Sequence, residues 1–316
     1  MTLPRLILSK EALRLGSDRE LRRLHARGSL VRIRTGVYAE TETWGALDAD
    51  ARYREFVRAS ALVSAPGAQF SHDSAAALWR LPSIDPWPHG AHELVPRSAG
   101  GNSRRGIRRH ALGLDPTPTV IDAVTVTSLV RTLLDICSTA SFVRAVTMVD
   151  DALRPTREGD DRHGWGTPLP TVDELLDELA GLLPYPGSTR AQRAIQFANG
   201  GSGSPGETFS RVQFHALGYP APQLQVPFYD ADGFIGDADF YFRDLDLISE
   251  FDGASKYGAA RRYQRHLSLD EIVMAEKVRE DRMRRVVKSF ARLRWPTVRN
   301  RRMLAEYLAP FGLVAR

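Results

Sequence analysis

Apolar residues recur along the chain at two different spacings, and the changes between them mark the predicted elements. In residues 8–16 and 17–28 the apolar positions have helical spacing, and each segment ends at a glycine, which is typical of a helix C-terminus. Residues 29–39 instead alternate between apolar and basic side chains around a Thr-Gly turn, as a half-buried hairpin does. The N-terminal pattern therefore predicts a helix, a turn, a second helix and an arginine-rich hairpin.

The middle of the chain predicts a mixed α/β region. Periodic apolar or alanine-rich stretches predict helices at residues 51–65, 71–82, 128–137, 142–154 and 171–183. Short apolar stretches predict strands at residues 93–97, 106–112 and 120–128. Residues 155–170 are polar and rich in Gly and Pro, which predicts a long surface loop, and the Gly/Ser-rich residues 199–206 predict a hinge.

The C-terminal pattern predicts a mixed sheet flanked by helices. We expect a helix at Gly206–Leu217, strands at Gln223–Tyr229, Phe234–Phe242 and Leu247–Asp252, a long basic helix near residues 269–287, a strand at Phe290–Trp295 and a closing helix. The strands are short and bounded by Asp- and Gly-containing turns, as in hairpins.

Four carboxylates fall where this helix and two of the strands approach each other, namely Glu207, Asp239, Glu250 and Asp252. Side chains of a strand alternate between its faces, so Glu250 and Asp252 lie on one face and Phe251 on the other. Like charges this close disfavour one another's ionised form, and a divalent cation with hard oxygen ligands is the commonest reason to collect them. The pattern predicts a Mg²⁺ or Mn²⁺ site.

These acids also have purely structural interpretations. Glu207 stands three residues after Ser204, in the pattern of a capping box at a helix start. Asp252 precedes Gly253, and an Asp-Gly pair is a common turn. Glu250 lies inside the apolar run LISEF, where a carboxylate is hard to explain without a partner.

The order of these segments resembles the PD-(D/E)xK nucleases, in particular those of the very short patch repair type. The resemblance is carried by a Glu on a helix, an Asp entering a hairpin in GDADFYF and a Glu on the next strand. The longer run EFDGASKYG, with the later EKVRED and LRW, resembles the C-terminal half of actinobacterial proteins that join such a domain to an AbiEi-like antitoxin N-terminus. The resemblance implies a restriction-endonuclease-like α/β/α domain over residues 204–316. In such a domain Asp239 and Glu250 would hold the metal, and Glu207 would complete or orient its shell.

One position departs from the family pattern. Many of these nucleases carry a catalytic lysine two residues after the glutamate, and this chain has Asp252 there. A lysine from elsewhere, Lys256 or Lys277, is then the candidate for the missing cation. Under this interpretation the catalytic set is Glu207, Asp239, Glu250, Asp252 and Lys256.

Composition limits the other possibilities. The 316 residues suit two or three domains, and Cys137 is the only cysteine, so neither an internal disulfide nor a Cys-rich zinc module is expected. The sequence contains no signal-peptide pattern and no apolar run of membrane-spanning length, which favours a cytoplasmic protein without a membrane partner. His72 beside Asp73, and His89 near His92, lack a third ligand, so we expect no metal site there.

The formal charge of +5 is unevenly distributed. Residues 1–38 have a net charge of +6 and residues 261–302 of +9, so the remainder sums to −10. Two separate basic blocks are typical of a polyanion-binding protein, although solvated arginine-rich helices produce the same pattern. We therefore expect nucleic-acid contacts, and the C-terminal candidates are Lys277, Arg279 and Arg282.

The first 45 residues resemble the winged helix-turn-helix of AbiEi-type antitoxins. The resemblance rests on LVRIRTGVYA, in which a leucine and a valine precede arginine alternation and Gly-Val-Tyr. It implies duplex DNA as the partner, contacted by a helix in the major groove and by the wing. The candidate contacts are Arg19, Arg22, Arg23, Arg27, Arg32 and Arg34.

The sequence thus predicts an α+β protein with a winged-helix domain at 1–45, an AbiEi-like scaffold or partner-binding domain at 46–198 and a nuclease-like domain at 204–316. Two functions stay open. The first is a DNA-binding protein with a metal-dependent endonuclease domain. The second is a non-catalytic transcriptional regulator or type IV-like antitoxin that keeps the nuclease fold as a scaffold and pairs with a cognate toxin protein.

Overall fold

The computed structural model describes residues 3–101, 103, 106–155, 168–253 and 269–314. Two compact units are present, one comprising Met1–Met148 and Thr156–Phe197 and the other Val149–Pro155 and Ala198–Arg316. Helices and strands both contribute to the architecture, which is of the predicted α+β class. None of the described helices is long and apolar enough to cross a lipid bilayer.

The start of the first unit has the predicted order of two helices and a hairpin. Its elements are β1 (Ile7–Leu8), α1 (Ser9–Arg14), α2 (Asp18–Ala26), β2 (Leu30–Arg34), β3 (Val37–Glu40) and α3 (Thr41–Gly45). The strands form a sheet in the order β1-β3-β2. The hairpin turns at Gly36, whose φ of 85° lies in the region that favours glycine. The alternating pattern predicted this hairpin, whereas the two-residue strand β1 was too short to show a period.

The rest of the first unit combines a five-stranded sheet with helices. The elements in chain order are α4 (Ala49–Ala61), β4 (Gln69–Phe70), α5 (His72–Leu78), β5 (Ala91–Leu94), β6 (Ile107–His110), β7 (Thr119–Ile121), β8 (Val124–Val126), α6 (Leu129–Thr139), α7 (Phe142–Leu153), α8 (Val172–Gly181) and α9 (Ser188–Phe197). The strand order is β6-β5-β4-β8-β7, and the β5–β6 and β4–β8 pairs are parallel. The sequence predicted neither β4 nor α9.

The second unit contains a four-stranded mixed sheet. Its elements are α10 (Pro205–Ala216), β9 (Gln223–Asp230), β10 (Gly233–Phe242), β11 (Leu247–Phe251), α11 (Leu269–Val286), β12 (Ser289–Leu293), α12 (Trp295–Val298) and α13 (Arg301–Leu308). The strand order is β12-β11-β10-β9, in which β11 and β12 are parallel and the other pairs antiparallel. These elements follow the order predicted from the sequence, and the closing helix is divided into α12 and α13.

Helices cover both faces of this sheet. On one face, Phe240 and Phe242 of β10 meet the ring of Phe214 from α10 at centroid distances of 5.2 and 5.4 Å. On the other face, Ile248 of β11 belongs to an apolar cluster with Met283 of α11. The layers are therefore helix, sheet and helix, and the ends of β10 and β11 lie between α10 and α11.

Gly206 allows α10 to approach the sheet. It is the second residue of α10, and a Cβ at this position would lie 2.0 Å from Cε1 of the Phe251 ring. We expect Gly206→Ala to lower the free energy of unfolding by about 1–3 kcal/mol, because ring or helix must shift to relieve the overlap. Urea unfolding of the full chain measures this change.

Gly181→Ala in α8 is the matched control for that substitution. A Cβ at position 181 meets nothing within 4 Å, so this variant should be neutral or slightly stabilised. Equal stabilities of the two variants would show that the contact between α10 and Phe251 is not as close as described.

Candidate functional site

Asp239 and Glu250 occupy adjoining positions on adjacent strands. The last pair in the antiparallel register of β10 with β11 is Phe240 opposite Ser249, and Asp239 and Glu250 are the residues that come directly next to this pair on the two strands. Both side chains are buried. The Asp239 side chain takes part in the hydrogen bonding between the two strands, because its Oδ2 accepts the Phe251 N–H at 2.8 Å.

Asp239 also lies where β10 is distorted. Ala238 belongs to the apolar cluster on the α11 side and Phe240 to the cluster on the α10 side, although residues two apart in a regular strand share a face. The register of β9 with β10 pairs Val226 with Ala238 and Leu224 with Phe240, and Gln225 between them has a φ of 50°, which is unusual for a residue with a side chain. The alternation of faces is therefore broken at Asp239.

Gln225 connects Asp239 to Glu207 at the start of α10. Its Nε2 donates to Oε2 of Glu207 at 3.0 Å and lies 3.5 Å from Oδ1 of Asp239. Glu207 also accepts hydrogen bonds from the Ser204 hydroxyl at 2.9 Å and from the Gly203 N–H at 2.6 Å. Ser204 is the N-cap of α10, because its hydroxyl accepts the Glu207 N–H at 3.3 Å, but the Glu207 carboxylate binds the Gly203 N–H and not the Ser204 N–H that a capping box requires. The same carboxylate is linked to Asp239 through the Gln225 side chain.

Arg279 of α11 binds both oxygens of Glu250. Its Nη1 and Nη2 donate at 2.9 and 2.7 Å, and the same guanidinium donates to Glu276 at 2.9 and 2.8 Å. Burial disfavours the charged guanidinium, but its hydrogen bonds to Glu276 and Glu250 outweigh that effect and raise the pKa of Arg279 above its usual value. The sequence placed Arg279 among the DNA contacts, whereas its guanidinium is directed at these two acids.

The remaining members of the predicted catalytic set follow β11. Asp252 donates its N–H to the Leu293 carbonyl at 2.8 Å, and its Oδ2 lies 3.7 Å from Nη1 of Arg292 and 3.8 Å from Nε of Arg294. The acid two residues after Glu250 thus lies beside two arginines. Lys256 lies outside the described residues.

The basic residues predicted on α11 differ in what they contact. Lys277 is exposed. Arg282 donates to the two carboxylate oxygens of Asp230 at 2.7 and 2.5 Å, and these hydrogen bonds lower the pKa of Asp230 to about 2. Among the three candidates on this helix, Lys277 is the one whose charge faces solvent.

The predicted winged-helix domain at residues 1–45 is called the head below. Most of its arginines that were predicted to contact DNA are exposed, namely Arg19, Arg22, Arg23, Arg27 and Arg32. Arg34 differs from them. Burial lowers its pKa despite the opposing charge of Glu93, and its Nε and Nη1 are buried without a hydrogen-bond partner among the described residues. We therefore remove Arg34 from the expected phosphate contacts.

Three histidines that the sequence did not connect come together in the first unit. His72, His92 and His110 place one ring nitrogen each within 4.8 Å of the others. Within the described ranges they are the only group of three or more His, Cys, Asp or Glu side chains whose ligand atoms lie this close together. The three predicted carboxylate ligands do not form such a group. The sequence paired His72 with Asp73 and His89 with His92, whereas the structure groups His72 and His92 with His110 and leaves His89 exposed.

Comparison with known proteins gives no assignment. No family model matches this chain, and no curated protein matches it. The contacts of the described residues therefore carry the functional argument.

The ion pair between Arg279 and Glu250 should contribute to the stability of the fold. We expect Arg279→Met to lower the free energy of unfolding by roughly 2–4 kcal/mol, because the buried Glu250 loses two charge-assisted hydrogen bonds. Arg302→Met is the control, since its side chain is 87% exposed and pairs with Glu306 one turn away, and its loss should leave the free energy of unfolding nearly unchanged. Denaturant unfolding in the presence of a chelator would measure the free energy of unfolding of both variants. Similar values for the two variants would contradict the structural role of the Glu250 pair.

Proposed function

We propose that this protein binds DNA and that residues 204–316 form a metal-dependent endonuclease domain of the PD-(D/E)xK type. The observation that carries the proposal is the adjoining position of Asp239 and Glu250 in the β10–β11 register, with Glu207 linked to Asp239 through Gln225. The order of α10, a three-stranded antiparallel segment, α11 and a parallel β12 is similar to the core of that family.

The donor set suits a hard divalent cation. Carboxylate oxygens are the ligands that Mg²⁺ and Mn²⁺ prefer, and Asp239, Glu250 and Glu207 offer them from buried positions. Asp239 and Glu250 would hold the ion, and Glu207 would complete or orient the shell from its capped position. The ion would supply activation of water and neutralisation of phosphoryl charge.

Arg279 occupies one of the proposed metal ligands. Both oxygens of Glu250 are bound by Arg279, so cation binding requires the guanidinium to move away. Arg279 also donates two hydrogen bonds to Glu276, and these keep it paired when it leaves Glu250. The guanidinium N–H groups that leave Glu250 would then bind a phosphodiester. Lys277 on the same helix and Lys256 are the further candidate cations.

One observation favours a second, non-catalytic function. Asp252 lies beside Arg292 and Arg294 at the position where many of these nucleases carry lysine. A transcriptional regulator or type IV-like antitoxin would keep this ion-pair network as a scaffold. It would bind DNA through the head and engage a cognate toxin protein through another surface.

The head supports DNA binding in either case. The order α1, α2 and the β2–β3 hairpin suits a winged helix-turn-helix, with α2 as the element for the major groove. Arg19, Arg22 and Arg23 are exposed on α2, Arg27 lies at its C-terminal end, and Arg32 is exposed on the hairpin. Several exposed arginines on neighbouring elements form a surface for phosphate contacts.

Cleavage should depend on Glu250. We expect the wild-type protein to cut plasmid or single-stranded DNA with Mg²⁺ or Mn²⁺, and Glu250→Gln to reduce the rate by at least about 100-fold, because a metal ligand is lost. Substrate conversion over time measures the rate, with a chelated reaction as the baseline. Glu306→Gln removes an acid that is 62% exposed and should cut like the wild type.

Lys256→Met provides a second arm of the same assay. We expect it to lose cleavage and to retain DNA affinity, because an interaction made only in the transition state changes the rate without loosening the substrate. Cleavage equal to wild type would assign the role to Lys277 instead. No cleavage by the wild-type protein with any divalent metal would reject the endonuclease and leave the regulator.

DNA binding by the head should depend on salt. We expect Arg23→Ala/Arg27→Ala to weaken binding to all duplex sequences and to reduce the slope of log K against log salt concentration by about 2, since each lost phosphate contact contributes about 0.9. Arg97→Ala/Arg190→Ala removes the same charge from exposed positions outside the head and should leave the slope unchanged. Fluorescence anisotropy at several salt concentrations measures both. Equal slopes in the two double variants would remove the head from DNA recognition.

A further inference from the structure

Three imidazoles meet in the first unit although they come from separate segments. His72 is the first residue of α5, His92 lies in β5 and His110 ends β6. The parallel register of β5 and β6 places Leu94 opposite His110, and Nδ1 of His92 lies 3.1 Å from Nε2 of His110. The rings of His72 and His110 stack with their centroids 3.7 Å apart. The fold, and not nearness in sequence, creates this cluster.

His72 has a buried ring nitrogen without a partner. Its side chain is 1% exposed and its Nδ1 lies 2.9 Å from the Ser71 hydroxyl, but its Nε2 has no hydrogen-bond partner among the described residues. An unsatisfied buried polar atom costs roughly 1–3 kcal/mol. The backbone φ of 49° at the same residue adds strain. A buried ring nitrogen left without a partner in this position, beside two other imidazoles, points to a ligand.

Carboxylates stand behind two of the rings. Oδ2 of Asp135 lies 3.5 Å from Nδ1 of His72, and Oδ2 of Asp73 lies 3.9 Å from Nε2 of His92. Neither contact is a hydrogen bond, and Oδ2 of Asp135 has no hydrogen-bond partner among the described residues. A negative charge this close still favours an N–H on the nitrogen that it faces. Metal-binding histidines usually have a carboxylate on the side away from the metal, which orients the ring.

We propose that His72, His92 and His110 form a three-histidine site for a divalent transition metal ion such as Zn²⁺. The ligand atoms would be Nε2 of His72, Nδ1 of His92 and Nε2 of His110. In tetrahedral coordination with Zn–N near 2.0–2.1 Å, ligand nitrogens lie about 3.3–3.4 Å apart. The 3.1 Å between His92 and His110 is close to that spacing, and the stacked His72 and His110 rings must tilt toward the ion.

The proposed ion would differ in class from the one expected at the carboxylates. Imidazole nitrogen suits Zn²⁺, Co²⁺, Ni²⁺ and Cu²⁺, whereas Mg²⁺ prefers carboxylate oxygen. Three protein ligands leave a fourth position for water or a small anion, as in catalytic zinc sites. The ion would also join the start of α5 to β5 and β6. This inference does not rest on the endonuclease proposal, because all of its residues belong to the first unit.

Metal binding by the full-length protein tests the site. After treatment with chelator and dialysis, we expect the wild type to bind one Zn²⁺ at this site. When Co²⁺ is added instead, the wild type should show the visible absorption of tetrahedral Co²⁺. The variant His110→Gln loses one of the three ligands. His110 is only half-buried, so this variant should stay folded. It should bind at least about tenfold more weakly than wild type. His89→Gln, which changes an exposed histidine of the same unit, should bind like the wild type.

X-ray absorption of the Zn²⁺-loaded wild type tests the ligand set without any variant. Three imidazole ligands are expected, and fewer than three would overturn the proposal. Absence of Zn²⁺ and Co²⁺ binding by the wild type, or unchanged affinity in His110→Gln, would also overturn it. The cluster would then be a buried hydrogen-bonded histidine network alone.

Discussion

A carboxylate removed from water needs a cation or several hydrogen-bond donors, and this constraint governs both units. In the first unit Arg131 donates to Asp135 at 3.0 Å and Arg144 to Asp73 at 2.5 Å. Near the start of the second unit, Arg211 donates to both oxygens of Asp150 at 2.9 and 2.7 Å. Burial raises the pKa of these aspartates, and the nearby arginine charges oppose that rise. Removing one partner from such a pair is costly, so the acids and arginines act together to position the elements that carry them.

The two candidate sites satisfy this constraint in different ways. At the carboxylates, Arg279 already provides the positive charge for Glu250, so a metal ion there competes with an existing partner. At the histidines, Arg131 and Arg144 neutralise the outer acids, while Nε2 of His72 is left without a hydrogen-bond partner among the described residues. The first arrangement is complete without an ion, and the second is not. The structure therefore makes the stronger case for a resident ion at the site that the sequence had dismissed.

Local patterns in the sequence predicted the elements well, because period and turn residues are local properties. The β2–β3 hairpin and the order of elements from α10 to α13 follow from them. Short elements such as β4, with two residues, contain no period to detect. The role of Gln225 depends on a positive φ and on the register of β9 with β10, and neither is written in the residue type. The histidine cluster depends on the parallel pairing of β5 with β6, which brings together residues that no spacing motif relates.

The placement of the two ligand sets in separate compact units has a consequence for how ions would act. Oxygen donors such as those proposed at Asp239 and Glu250 would bind a hard cation weakly and exchange it, as hydrolytic chemistry on phosphodiesters requires. Imidazole donors set in place by outer carboxylates bind Zn²⁺-like ions tightly, and part of the binding free energy stabilises the fold around them. An ion at the histidines would thus stabilise the junction of α5 with the first sheet under conditions in which the carboxylates hold none. Because the donor chemistry differs, loss of one ion would not entail loss of the other.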